Sequence, residues 1–168
     1  MSTKVLVISD NHGNIDCLLK AKKNCRDQYD MVVHCGDSEM DMKMLQEVFG
    51  DVPIHVVQGN CDYGFDGCKD DIFEVEGHVC YLVHGHRQRV SWGLEELEEK
   101  ACEYGADVVF FGHTHKPEYF VDWDMDITML NPGSISWPRQ EDRMRTYMVV
   151  EFRDDGQIVP MLSTLKGF

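Results

Sequence analysis

Apolar positions along this chain follow two rhythms. Short unbroken runs at Lys4–Ser9 (KVLVIS), Met31–His34, Pro53–Gln58 and Asp107–Phe111 predict strands buried on both faces. Asp71–Glu76 and His78–Val83 alternate around Gly77, as the two arms of a hairpin do. Between the strands the spacing becomes helical. Asn14–Arg26 carries Ile15, Leu18, Leu19 and Lys22 on one stripe, with Asn14 as N-cap. Met40–Phe49 places Met40, Met44, Leu45 and Val48 together, and Trp92–Tyr104 places Leu94, Leu97, Ala101 and Cys102 together. The remainder predicts short strands at Glu118–Val121, Ile127–Leu130, Thr146–Phe152 and Ile158–Ser163, the last two joined by the turn Asp154-Asp155-Gly156. A βαβαβ-like first half followed by a mostly β remainder predicts an α/β fold. Two mixed sheets pack as a sandwich with helices on the outer faces, in one domain over residues 1–168.

The informative residues stand where the strands end. KVLVIS runs into Asp10-Asn11-His12, and MVVHCG into Asp37. IHVVQG runs into Asn60-Cys61-Asp62, VCYLV into His84-Gly85-His86, and DVVFFG into His113-Thr114-His115. The carboxyl ends of strands form the ligand-binding edge of an α/β sheet, so these groups converge although the chain separates them widely. Counting either His84 or His86, they supply four imidazoles, two carboxylates and an amide oxygen. Such a set suits Mn, Fe, Zn, Co or Ni rather than Ca or Cu(I). It exceeds one site and matches two cations sharing a carboxylate, the arrangement that clamps attacking and leaving oxygens at phosphorus.

Charge and cysteine content narrow the picture. The formal charge is −14, which repels phosphate backbones and disfavours a nucleic-acid partner, while bound cations still admit a small phosphorylated substrate. Seven cysteines without a CxxC pair read as reduced thiols, mostly small core residues. No run approaches the ~18–20 apolar residues of a membrane span, and Met1–Asp10 reads as a strand rather than a signal peptide. The expectation is a cytoplasmic protein with no membrane partner. The short strands beyond Asp107–Phe111 would serve a homodimer or higher oligomer.

The ordered set D-x-H, G-D, G-N-x-D, H-G-H and G-H-x-H, from Val5 to about Trp137, resembles the calcineurin-like metallophosphoesterase superfamily. The short chain, the H-G-H spacing and Asn131-Pro132-Gly133-Ser134 are similar to its small YfcE-type phosphodiesterase subfamily. The resemblance implies a four-layer β-sandwich flanked by helices and two divalent ions, Mn2+ first, with Fe, Zn, Ni, Co or Mg as alternatives. It implies that Asp10, His12 and His115 hold one ion and Asn60, His84 and His113 the other. Asp37 bridges them, and a metal-bridging hydroxide attacks phosphorus. His84 is then the ligand, with His86 behind it or at the substrate.

One position departs from the pattern. Many relatives carry His where this chain has Cys61, and that His is a candidate acid for the leaving group. A thiol with an ordinary pKa of ~8.5 is a poor substitute. The expectation is that His86 or a metal-bound water supplies the proton, or that substrates are limited to good leaving groups. Cys61 as nucleophile is disfavoured, because no base is expected beside it. Asp62 is expected to orient its loop, His34 to lie behind the ligands, and Ser134 to reach substrate. His55 and His78 receive no role. Arg87, Arg89 and Lys116 read as surface charge rather than phosphate contacts. Two other functions compete with the hydrolase: a protein-binding scaffold, as in the retromer subunit that resembles this subfamily, and a nuclease.

Overall fold

The computed structural model describes residues 2–26, 28–65 and 67–166. Among the described residues, ten strands and three helices follow one another. They are β1 Ser2–Ile8, α1 Ile15–Asn24, β2 Met31–His34, α2 Met42–Phe49, β3 Ile54–Val56, β4 Asp70–Val75, β5 His78–Val83, α3 Glu95–Tyr104, β6 Val108–Phe110, β7 Pro117–Asp122, β8 Ile127–Pro132, β9 Thr146–Arg153 and β10 Ile158–Thr164. One sheet has the order β10-β9-β1-β2-β3 and the other β4-β5-β6-β8-β7. Both are mixed. β1, β2 and β3 run parallel, as do β5, β6 and β8, while β9, β10, β4 and β7 add antiparallel partners.

The unbroken apolar runs have a direct cause. Alternate side chains of a strand point to opposite faces, and here both faces are covered. In β1, Val5 and Val7 meet Cys80, Leu82, Val108 and Phe110 of the second sheet. Leu6 and Ile8 point the other way, onto Leu18 and Ala21 of α1 and Leu45, Val48 and Phe49 of α2. In β5, Cys80 and Leu82 face the first sheet, while Tyr81 and Val83 pack under Leu97 and Ala101 of α3. The result is four layers, helix–sheet–sheet–helix. No helix among the described residues is long and apolar enough to cross a membrane.

Helix ends follow the capping residues. Asn14 accepts a hydrogen bond from Cys17 N at 3.2 Å and opens α1. Asp41 accepts from Met44 N at 2.8 Å, so α2 starts at Met42 rather than Met40. Gly105 closes α3 in the left-handed conformation (φ 67°).

The buried faces differ from the sequence reading. α1 buries Cys17, Leu18 and Ala21 and leaves Ile15 and Leu19 in solvent. Small residues let this helix sit close on the sheet, and that approach rotates the contact face away from the larger ones. Met44 and Cys102 are likewise exposed. All seven thiols are free, but only Cys17, Cys35 and Cys80 are buried, so the core role expected of most of them holds for three.

Candidate metal centre

Every polar strand-end group named above lies in a loop leaving the carboxyl end of β1, β2, β3, β5 or β6. These loops are strained. Asp10, His12, Asp37, His113 and His115 all have positive φ, between 46° and 68°. A non-glycine residue in that region costs on the order of 1–3 kcal/mol, and such residues cluster at functional sites.

Specific bonds hold the strained turns. Asp10 N donates to Gly36 O and His12 N to Asp37 O, both at 3.0 Å, which ties the first loop to the second. Ser134 Oγ and Ser136 Oγ each donate to Asp10 O at 2.8 Å. The Asp62 carboxylate accepts from Asp37 N (2.8 Å), Glu39 N (2.6 Å) and Gly59 N (2.7 Å). Asp62 thus fastens the loop after β2 to the loop after β3, the orienting role expected of it. Ser134 is fully buried and spent on the Asp10 backbone, so the expected contact with substrate is replaced by a structural one. Gly36 and Gly59 are required by close approach. A Cβ on Gly36 would sit 2.8 Å from His84 Nδ1, and one on Gly59 would collide with the Asp37 carboxylate.

The imidazoles are aimed by their outer nitrogens. His84 Nδ1 donates to Cys35 O and His115 Nδ1 to Trp137 O, each at 2.7 Å, and His12 Nδ1 meets Glu39 Oε1 at 2.8 Å. With Nδ1 engaged outward, each ring turns its Nε2 inward. His115 Nε2 then lies 3.1 Å from Asp10 Oδ1 and 3.4 Å from His12 Nε2. His84 Nε2 lies 3.0 Å from Asn60 Oδ1 and 3.4 Å from Asp37 Oδ2. Asn60 Oδ1 is also 3.0 Å from His113 Nδ1.

Nitrogen and oxygen ligand atoms gathered this closely suit a cation between them. Asp10 Oδ1 accepts no hydrogen bond despite its full burial and the nearby imidazole. The donor sets Asp10–His12–His115 and Asp10–Asp37–His84 each bring their ligand atoms within 4.8 Å of one another. The residues present therefore fit divalent cations.

The protonation equilibria agree. Burial alone would raise the carboxyls of Asp10 and Asp37. Proximity to His115 and His84 for Asp10, and to His84 and the Cys61 amide for Asp37, outweighs it and holds both below the ordinary carboxylate value. Burial would lower His84, yet Asp37 and Asp10 raise it. The site attracts positive charge, which a proton supplies where a metal does not.

Cys61 and His86 stand apart. Cys61 N donates to Asp37 Oδ1 at 2.7 Å, and its thiol is pushed up to about 11 by burial and then by the Asp37 charge. The thiol stays protonated at neutral pH, so it is no nucleophile. His86 is packed between His84 and His113, with ring centroids 5.3 and 6.1 Å away. Burial, then the His84 and Arg87 charges, lower it to about 4. A ring that is neutral at pH 7 is a poor proton donor, which weighs against the expected role of His86 as the acid.

Other polar residues fall into place. His34 is fully buried, with Nε2 2.8 Å from Asn11 Oδ1, behind the ligands as expected. Arg89 pairs with Glu96 on the surface. His55 meets Asp71 at 2.6 Å and His78 meets Asp107 at 2.7 Å, both outside the site.

Two contributors carried no sequence signal. Glu39 reaches His12 from two positions beyond Asp37. Trp137 stacks on the His12 ring at 4.5 Å and 17° while its carbonyl holds His115. A cavity of about 330 Å3 opens beside Cys61 and Glu39, bounded by Asp41, Tyr63 and Phe65.

This chain is similar to known proteins. A family model described as the calcineurin-like phosphoesterase superfamily domain matches residues 3–155. The probable metallophosphoesterase YsnB of Bacillus subtilis (strain 168) is 36% identical over 158 residues, covering 92% of this chain and 88% of that protein. A Streptococcus pneumoniae TIGR4 protein described as a predicted phosphoesterase superposes with a TM-score of 0.79 at 26% identity, over 98% of this chain and 99% of its own. Two more distant structures share the fold. Vacuolar Protein Sorting 29 from Cryptosporidium parvum has a TM-score of 0.74 at 18% identity, over 99% of both chains. The phosphoesterase Yfce from E. coli has a TM-score of 0.65 at 20% identity, over 98% of this chain and 100% of its own.

Proposed function

This chain belongs to the calcineurin-like phosphoesterase superfamily, and from that premise we propose that it hydrolyses a small phosphate ester at a pair of divalent cations. The observation that carries the reading is the cluster of inward nitrogen and oxygen atoms within 4.8 Å of one another, with Asp10 Oδ1 buried and without a hydrogen-bond partner. Asp10, His12 and His115 would hold one cation, Asn60, His84 and His113 the other, and Asp37 would lie between. Mn2+ heads the cations this nitrogen–oxygen set suits, with Fe, Zn, Ni, Co and Mg as alternatives. Bound there, the cations would supply Lewis acidity toward a phosphoryl group and a water of lowered pKa.

The chain's own residues do the positioning. Glu39, the Cys35 carbonyl and the Trp137 carbonyl hold three imidazoles in one tautomer. Asp62 keeps Asp37 and the Asn60 loop in register. Neither Cys61 nor His86 is a strong proton donor at neutral pH. Leaving groups that depart without a proton, such as aryl oxides, are therefore favoured. Cys61→His restores an imidazole at that position. It should raise turnover of alkyl esters by about a hundredfold or more, the usual range for a general acid; unchanged alkyl-ester turnover would remove the missing-acid account.

A scaffold role gains fold-level support from the vacuolar sorting protein, but the filled donor set favours catalysis. A charge of −14 disfavours a polymeric nucleic-acid substrate. The test is a screen of metals against bis(p-nitrophenyl) phosphate and p-nitrophenyl phosphate, with Asp37→Ala as control. Metal-dependent hydrolysis lost in Asp37→Ala supports the reading, and metal-loaded protein inert to both esters overturns it.

A further inference from the structure

Trp137 is both anchored to the site and open to solvent. It is tied to the candidate metal centre twice, through its ring on His12 and through its carbonyl on His115. Yet it is 62% exposed; Trp92 and Trp123 are also exposed, but Trp137 alone of the three stacks on a strand-end imidazole among the described residues. An indole stacked face to face on one side, and still this exposed, presents its opposite face to solvent.

That face is rigidly placed. Trp137 N donates to Ser134 Oγ at 2.8 Å, the same hydroxyl that donates to Asp10 O. Two residues on, Arg139 N donates to His115 O at 2.9 Å. The backbone on both sides of the indole is therefore bonded to the ligand loops. Surface chemistry does not require such anchoring. A recognition surface with a fixed distance to the metals does.

We propose that Trp137 is a specificity-determining residue whose outer face stacks a planar group of nucleobase size carried by the phosphoester substrate. The inference rests on the phosphoesterase reading above and names its substrate class. The spacing selects the class. The indole is 4.5 Å from His12, and a second ring stacked beyond it lies roughly 9 Å from His12. A phosphate at the metals reaches that far through a sugar-sized spacer, not through a direct aryl ester. Arg139, exposed two residues on and in no ion pair among the described residues, adds positive charge to this part of the surface and disfavours a cationic group there. Stacking is indifferent to sequence, so a single base suffices and no extended nucleic-acid groove is needed.

The test uses Mn2+-loaded protein and titration calorimetry with two probes that differ by a base alone, adenosine 5′-monophosphate and ribose 5-phosphate. The nucleotide should bind about tenfold or more tighter, as expected of one stacked base. W137A should reduce that ratio to about one, whatever the lost stack on His12 does to the affinity for both probes, and W137F should keep most of it. Equal affinities in the wild type, or a ratio that survives W137A, overturn the inference. So does phosphocholine gaining over ribose 5-phosphate in place of the nucleotide. Metal-dependent hydrolysis of bis(p-nitrophenyl) phosphate separates the two levels. If it persists without base discrimination, this inference alone fails. If hydrolysis and binding of both probes are absent, the phosphoesterase reading fails and takes the inference with it.

Discussion

Histidine meets carboxylate in two regions of this molecule, and the two behave differently. At His55–Asp71 and His78–Asp107 the separations are 2.6 and 2.7 Å, shorter than most at the carboxyl rim of the sheets. Each of these pairs is closed: one ring nitrogen, one carboxylate oxygen, with Asp71 and Asp107 partly in solvent. At the rim, the outer ring nitrogens of His12, His84 and His115 are held by Glu39, Cys35 O and Trp137 O, and the inner ones crowd together with Asp10, Asp37 and Asn60. Proximity of His and Asp is therefore not the mark of a metal centre. The mark is a set of acceptors aimed at a common point and held there by donors spent elsewhere.

The contrast can be broken from the rim first. Asp10→Ala removes a buried acceptor shared by both donor sets and should lower metal-dependent hydrolysis by about a thousandfold or more, the several kcal/mol that metal clamping supplies. Steady-state kinetics at saturating metal reads this.

Asp62→Ala attacks the same region without touching a metal. It leaves the amides of Asp37, Glu39 and Gly59 without their acceptor. At about 1–3 kcal/mol for each buried orphan, a loss of about 3 kcal/mol or more is expected in urea unfolding. A change below 1 kcal/mol would mean that the two loops hold their register by other means.

Glu39→Ala frees His12 to rotate and to change tautomer. Metal affinity should fall about 10–100-fold in calorimetry, the usual effect of removing an outer partner. An unchanged affinity would show that the Trp137 stack alone fixes the ring.

The smallest effect belongs to the other region. Asp71→Asn should change stability by no more than about 1 kcal/mol and leave metal affinity and hydrolysis unaltered. Loss of metal binding there would erase the distinction between the two regions.

The sequence made the rim legible because each candidate ligand stands in the loop just after an apolar strand, and the pleat of a short strand leaves little freedom over where its end lies. The two-faced burial of β1 and β5 was legible for the same reason, as unbroken apolar runs. What stayed hidden depends on how elements dock. The face that α1 buries is set by how closely Cys17 and Ala21 let it approach, not by where its larger apolar residues fall. Glu39 and Trp137 reach His12 across loops whose path no local pattern encodes. Ser134 was visible as part of a motif, but its partner, the Asp10 carbonyl, lies 124 residues away and reverses the role its position implied.

The central claim is that the inward acceptors hold two cations with Asp37 between them. Native mass spectrometry of the protein loaded with Mn2+ or Zn2+ tests it most directly, run beside Asp37→Ala and with hydrolysis of bis(p-nitrophenyl) phosphate measured on the same samples. The account predicts two metal ions per wild-type chain, and loss of the two-metal species together with hydrolysis in Asp37→Ala. A wild-type chain that is fully active with one ion or none, or an Asp37→Ala protein that remains active, would contradict it.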